Sequence, residues 1–247
     1  MKTVLNSALS ALLMMFSIAT FSFGQTGDAL PTAEDVVAKM VQQDAWRRAQ
    51  LNGYTSTRHY IAVNKERKAE MVVGVMCTGD GEKHFTILSE EGSSAIRKHV
   101  FDQMLKEESA ASSHGASNST HITPDNYEFE LIGKDVIDER PAYLLRITPK
   151  QESKYLITGK IWVDAADFSI ARIEGSPART PSFWVHSVHF VHTYQKVGPF
   201  WFAASTHSVS ELRVFGEADL SIDNLDYTLN PPDNRLTSAD YLARLTR

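Results

Sequence analysis

Cys77 is the only cysteine among 247 residues, so no disulfide can form within the chain. Its stability must come from a hydrophobic core, and a hydrophobic content of 43% is an ordinary supply for one. Basic clusters are also missing. With 25 Lys and Arg against 30 Asp and Glu, the formal charge is −5, which argues against nucleic acid or an anionic lipid surface as the main partner. Beyond the N-terminal segment, no stretch approaches the roughly 18 apolar residues that a membrane helix needs. Gly-x-Ser-x-Gly does not occur, and neither does the strand, glycine loop and helix alternation of dinucleotide-binding sheets. These absences remove the commonest signatures of hydrolase and nucleotide chemistry and point away from a parallel α/β sheet.

What is present begins with MKTVLNSALSALLMMFSIATFSFGQ, which has Lys2 at its start, an apolar core from Ala8 to Phe23, and small residues Ser22 and Gly24 before Gln25. It reads as a cleavable signal peptide over residues 1–24. A membrane anchor fits less well, because Ser10, Ser17, Thr20 and Ser22 interrupt the apolar run and polar sequence follows at once. No cysteine stands at the cut, so a lipid anchor there is excluded. The expected organisation is an exported, periplasmic protein with one domain over 25–230 and a C-terminal tail over 231–247 that begins at Pro231-Pro232.

After Pro31, Thr32 opens TAEDVVAKMVQQDAWRRAQLNG as a helix cap, Glu34 and Asp35 fall in the first turn, and Val37, Met40 and Val41 share one face. A second helix fits SSAIRKHVFDQMLKEE, where Ile96, Val100, Met104 and Leu105 recur at helical spacing behind Ser93 or Ser94. The following SAASSHGASNSTHIT has no periodicity and is expected to be a loop. Everything else reads as strands separated by short turns: YTSTRHYIAV, KAEMVVGVMC, KHFTILS, YEFELIG, AYLLRITP, LITGKIWVD, FSIARIEG, FWVHSVHFVHTY, FWFAASTHSVSELRV and ADLSIDNLDY. Two helices with about ten strands and short turns suggest a mainly β, α+β fold. The expected architecture is one strongly bent antiparallel sheet, an open half-barrel, with the helices covering its concave face.

One block of this sequence has a family likeness. The run 159-GKIWVDAADFSIARIEG-175, then an aromatic strand, then 196-KVGPFWFAASTHS-208 and 219-DLSIDNLDY-227, resembles the C-terminal part of the outer-membrane lipoprotein-sorting (LolA-like) superfamily. The resemblance implies a half-barrel whose concave face holds the acyl chains of a lipoprotein or another amphiphile, passed from a membrane donor to an outer-membrane acceptor. A mature start at Gln25 rather than at a lipidated cysteine looks like the soluble, periplasmic carrier branch. No position matches the N-terminal strand arginine on which closure of those carriers depends; Arg58 sits in a suitable strand, but that role is not carried over to it.

The stretch 183-FWVHSVHFVHTYQKVGPFWFAAS-205 poses the choice between a metal site and an aromatic wall. His186 and His192 fall on one side of a strand, roughly 20 Å apart at the usual rise, while His189 points to the other side. One strand cannot gather them around a metal, and His207 on the next strand would be only diagonal to His189. Cys77 ends a Val-rich strand, where a buried small hydrophobe is the expected role. The acids Asp164 and Asp167, and Asp223 and Asp226, fall at turns or strand ends, where local hydrogen bonding is their usual task. No enzyme activity, metal or cofactor is therefore expected.

The aromatic reading is stronger, because both faces of these strands carry apolar groups and a half-wet sheet should alternate cleanly. Trp162, Trp184, Val188, Phe190, Phe200 and Phe202 are the candidate lining of a hydrophobic cavity. A carrier or sensor of lipid-like ligands is the expected function, with the second helix and the segment Ser109 to Thr123 as its lid. The rival is an envelope-stress regulatory domain of the same shape that binds a partner protein.

Overall fold

A computed structural model describes residues 30–65, 67–113, 120–180, 183, 185–213 and 216–229. The chain divides into Met1–Leu30 and Pro31–Arg247, and all the elements below belong to the second unit. The signal peptide expected over 1–24 and the tail expected over 231–247 lie outside the described residues.

Helix α1 (Ala33–Gln50) starts in a reciprocal cap: the Asp35 N–H donates to Thr32 Oγ1 at 3.1 Å, and the Thr32 N–H donates to Asp35 Oδ2 at 3.3 Å. It buries Val36, Val37 and Met40 and stops where Leu51 turns extended. Strands β1 (Gly53–Asn64), β2 (Arg67–Thr78) and β3 (Lys83–Gly92) follow as a meander. The second helix has three parts: α2 (Ser94–Ile96), a π-helical turn (Arg97–Phe101) and α3 (Asp102–Ser113), with Ser93 as cap. It therefore runs five residues into the segment expected to be a loop. Serine and alanine tolerate helix well when tertiary contacts support it, and Ser112 Oγ accepts a hydrogen bond from the Lys83 N–H at 3.0 Å. The seven remaining strands are β4 (Tyr127–Ile137), β5 (Arg140–Pro149), β6 (Ile157–Asp164), β7 (Ile170–Pro177), β8 (Val185–Val197), β9 (Phe200–Leu212) and β10 (Gly216–Leu229).

Together they form one ten-stranded sheet in the order β3-β2-β1-β10-β9-β8-β7-β6-β5-β4. Every pairing is antiparallel, and among the described residues β3 and β4 remain as two unjoined edges, so the sheet is an open half-barrel. Six register shifts, among them those at Thr55/Thr57, Trp162/Val163 and Thr193/Tyr194, supply the bends that curve it. Gly159 faces Gly175 between β6 and β7, where an added Cβ on Gly159 would lie 2.1 Å from the Glu174 carbonyl oxygen. Only paired glycines allow the two backbones to come so near there.

The concave face carries two separate cores. Below α1, Val36, Val37 and Met40 meet Leu145, Ile147, Ile161, Val163 and Ile173 of β5 to β7. Below the second helix, Phe101 and Leu105 meet Tyr60, Met71, Val73, Val75 and Ile222 of β1, β2 and β10. Cys77 is buried near the end of β2. Between the two cores lie the C-terminal half of β8, the N-terminal half of β9 and the adjoining parts of β10 and β1.

Candidate functional site

One register row shows how the sheet presents its interior. Ile173, His192, Thr206, Ile222, Tyr60 and Met71 are successive partners across β7, β8, β9, β10, β1 and β2 and share the concave face. The ends of the row are sealed by the two cores, and its middle is polar. Toward α1 the strands turn aromatic, and two adjoining cavities open there.

The larger, of about 610 Å³, lies between the C-terminal half of α1 and the sheet. Met40, Val41, Tyr194, Phe200, Trp201 and Phe202 line it, with Arg47 and Arg48 at its rim. The smaller, of about 380 Å³, shares Lys83, Tyr194, Trp201 and Phe202 with the first and extends over Arg58, His192 and Asn224 to Glu108 on α3. Its aromatic side is a packed stack. The Phe202 ring lies 4.7 Å from that of Tyr227 and 5.0 Å from that of Tyr54, and Phe200 is stacked on Trp46 at 6.2 Å. Trp201 is fixed by its indole N–H, which donates to Asp167 Oδ2 at 3.0 Å.

At the far wall Arg58, only 8% exposed, spends its donors within the fold. Nε donates to Asn224 Oδ1 at 2.9 Å, and Nη1 donates to Tyr60 Oη at 2.9 Å and to Glu108 Oε2 at 2.7 Å. Lys83 Nζ also donates to Glu108, at 2.7 Å. Burial alone would push the Glu108 carboxyl up, but the charges and hydrogen bonds of Lys83 and Arg58 hold it down at about 2. Burial, helped by the Arg58 charge, lowers His192 to about 4 and keeps its ring neutral. Burial likewise raises Tyr194 to about 12 and pushes Tyr54 and Tyr227 well above the usual phenol range.

The six residues expected to line the cavity are scattered by this arrangement. Phe200 and Phe202 do line it. Phe190 packs instead against the core below α1, and Val188, half-buried on the same side of β8, touches neither cavity. Trp162 takes the opposite face of the sheet, since its neighbours Ile161 and Val163 hold the core positions of β6. There it lies under the Arg172 guanidinium at 5.0 Å and donates from Nε1 to Asp135 Oδ2 at 2.8 Å. Trp184 lies outside the described residues.

Of the other histidines, His189, His207 and His59 face single carboxylates, Glu174 at 3.8 Å, Asp219 at 3.3 Å and Glu70 at 3.3 Å. Among the described residues no group of three or more His, Cys, Asp and Glu comes together. Asp164 serves its own turn, accepting from the Ala166 and Asp167 N–H groups and from Arg140.

Most of the site is made by residues outside the expected cavity lining. Arg58, Glu108, His192, Tyr194 and Trp201 all line the smaller cavity. A signal existed for two of them. Arg58 falls in the inward register of Tyr60 and Ala62, and Glu108 continues the helical spacing of Phe101, Met104 and Leu105, so each places a charge where an apolar residue is due.

Comparison with known proteins adds likenesses of fold. A DUF1329 family protein from Desulfovibrio piger matches with a TM-score of 0.44 and 13% identity, covering 85% of this chain and 97% of its own. A domain described as an outer membrane lipoprotein-sorting protein from Vibrio parahaemolyticus matches with a TM-score of 0.44 and 13% identity, over 86% of this chain and 98% of its own. A LolA superfamily protein from Nitrosomonas europaea matches with a TM-score of 0.39 and 12% identity, over 86% and 100%. The chain is similar to these proteins. No family model and no curated protein matches it. At such identities neither ligand nor partner is carried across.

Proposed function

We propose that this protein is an exported, soluble carrier or sensor that takes a lipid-like ligand into the cavities between its sheet and its helices. The observation that supports this most is the larger cavity itself. Its volume of about 610 Å³ falls within the range usual for small-molecule sites, and its walls set Met40, Val41, Phe200 and Phe202 beside charged groups, Asp44, Arg47, Arg48 and Lys83 among them. Each methylene of an acyl chain removed from water contributes about 0.8 kcal/mol, so a chain of ordinary length supplies ample affinity without any reaction chemistry. Binding rather than catalysis is accordingly the proposed role.

Release requires the cavity to open, and the second helix is the proposed moving part. Glu108 ties α3 to Arg58 and Lys83 of the sheet, so breaking that tie frees one wall of the smaller cavity. Lipid or lipoprotein acyl chains are the proposed cargo, received from a membrane donor and passed to an outer-membrane acceptor.

The test is native mass spectrometry of residues 25–247 exported to the periplasm, followed by organic extraction. Co-purifying lipid or lipopeptide that is lost in Phe202→Asp, with the circular dichroism spectrum unchanged, supports the carrier reading. A protein that is empty and takes up no fluorescent fatty-acyl probe refutes it and favours the rival, a regulatory domain that binds a partner protein.

A further inference from the structure

The cavities have a charge opposite to that of the protein around them. The chain has a formal charge of −5. Yet among the described residues Arg47, Arg48, Arg58 and Lys83 line the two cavities against Asp44 and Glu108, a formal excess of two positive charges with histidines left out of the count. These six groups form two trios, each of two cations sharing one carboxylate. Arg58 and Lys83 share Glu108 at the deep end. Arg47 and Arg48 share Asp44 at the rim of the larger cavity.

Only the rim trio meets both requirements of an amphiphile. Arg47 is anchored, with Nη1 donating to Ser169 Oγ at 2.9 Å and 16% of its side chain exposed, whereas 54% of the Arg48 side chain reaches solvent. A headgroup there keeps part of its hydration while its tail enters between Met40, Val41, Phe200 and Phe202. Low-dielectric walls beside the cations strengthen their field at the cavity mouth. We infer that the ligand is a single-chain anionic amphiphile, a carboxylate or phosphate on a hydrocarbon tail, with its headgroup on Arg47 and Arg48.

This inference rests on the carrier reading, and the experiment separates the two. Binding of dodecanoate, dodecanol, dodecyltrimethylammonium and inorganic phosphate to residues 25–247 is measured by tryptophan fluorescence and calorimetry at pH 8, below micelle formation. The expected result is that dodecanoate binds at least about tenfold tighter than dodecanol, the gain of a charge-assisted hydrogen bond, and loses that advantage as sodium chloride is raised. Arg48→Gln and Arg47→Gln/Arg48→Gln remove the preference and retain dodecanol binding. Arg47→Lys/Arg48→Lys retains part of the preference and controls for folding.

Equal binding of all three dodecyl compounds overturns the anionic assignment and leaves the carrier reading standing. Binding of none of them overturns both. Phosphate binding as tightly as dodecanoate shows a simple anion site in which the tail plays no part, and also overturns the inference. A preference that survives in the double Gln variant refutes the placement at the rim.

Discussion

Replacing Glu108 by Ala tests both the energetics of the closed helix and the proposed opening. In the variant, the buried guanidinium of Arg58 and the Lys83 ammonium face each other with no carboxylate between them. Removing one partner of a fully buried ion pair costs about 3–5 kcal/mol. With 31% of the Glu108 side chain exposed, water takes up part of the freed charge, and about 2 kcal/mol is the expected loss in denaturant unfolding. The pH dependence gives a second, independent reading. Because the folded carboxyl titrates at about 2 rather than at 4.5, its stabilising effect is complete above pH 4.5 and disappears as the pH falls toward 2. That window is at most about 3 kcal/mol deep and about 2 after the same allowance for solvent. Wild type loses this stability over the window, and Glu108→Ala does not. Hydrogen exchange along Asp102–Ser113 quickens in the variant if Glu108 is the tie that holds the helix. A loss below about 0.5 kcal/mol, with unchanged exchange in that helix, refutes the tie.

His192 gives a second test of acidity, in a higher pH window. Its folded pKa of about 4 lies below the ordinary 6.5, so the unfolded chain binds the proton first and stability falls as the pH drops from 6.5 to 4, by up to about 3 kcal/mol. His192→Asn flattens that part of the stability profile, and an unchanged slope shows that the loss arises elsewhere. Phe202→Ala, which removes the centre of the Tyr54, Phe202 and Tyr227 stack, lowers stability by about 3 kcal/mol in chemical denaturation and weakens the uptake of a fatty-acyl probe. Trp162→Phe costs about 1 kcal/mol through loss of the Asp135 hydrogen bond and leaves probe uptake unchanged, since Trp162 is on the other face of the sheet. Gly159→Ala drives a methyl group into the Glu174 carbonyl, so a fall of about 2 kcal/mol or more in unfolding free energy is expected.

The architecture was largely legible in the sequence, for reasons that particular elements make clear. Each of the ten strands announces itself by β-branched and aromatic residues between turn residues, and α1 carries both its cap and its dipole-matched charges. The site was less legible because it depends on facing. Two register shifts between β8 and β9, at Val185/Ser187 and Thr193/Tyr194, break the alternation, so counting from Phe183 does not tell which aromatics meet α1. Trp162 shows the same difficulty: its size suggests a cavity wall, while Ile161 and Val163 on either side take the core. Arg58 and Glu108 were distant in sequence and became neighbours only when the second helix crossed the sheet. The extension of that helix through Ser113 was hidden by the lack of apolar periodicity in its serine-rich last turn, although Ala110 and Ala111 favour helix.

The position of β1 in the sheet has a consequence for how the chain reaches its native state. β1 lies between β2, its immediate successor, and β10, the last strand, and the Arg58 to Asn224 bond spans 166 residues. The middle of the sheet cannot be completed until nearly the whole chain is available, whereas the β2–β3 and β4–β9 hairpins can form early. Such late closure of a long loop slows folding and leaves β1 with an open side until β10 arrives. Under the proposal that the chain is exported, that delay is an advantage: the N-terminal strand has no stable home on the side where it is made, and translocation competes with an incomplete sheet rather than a finished one.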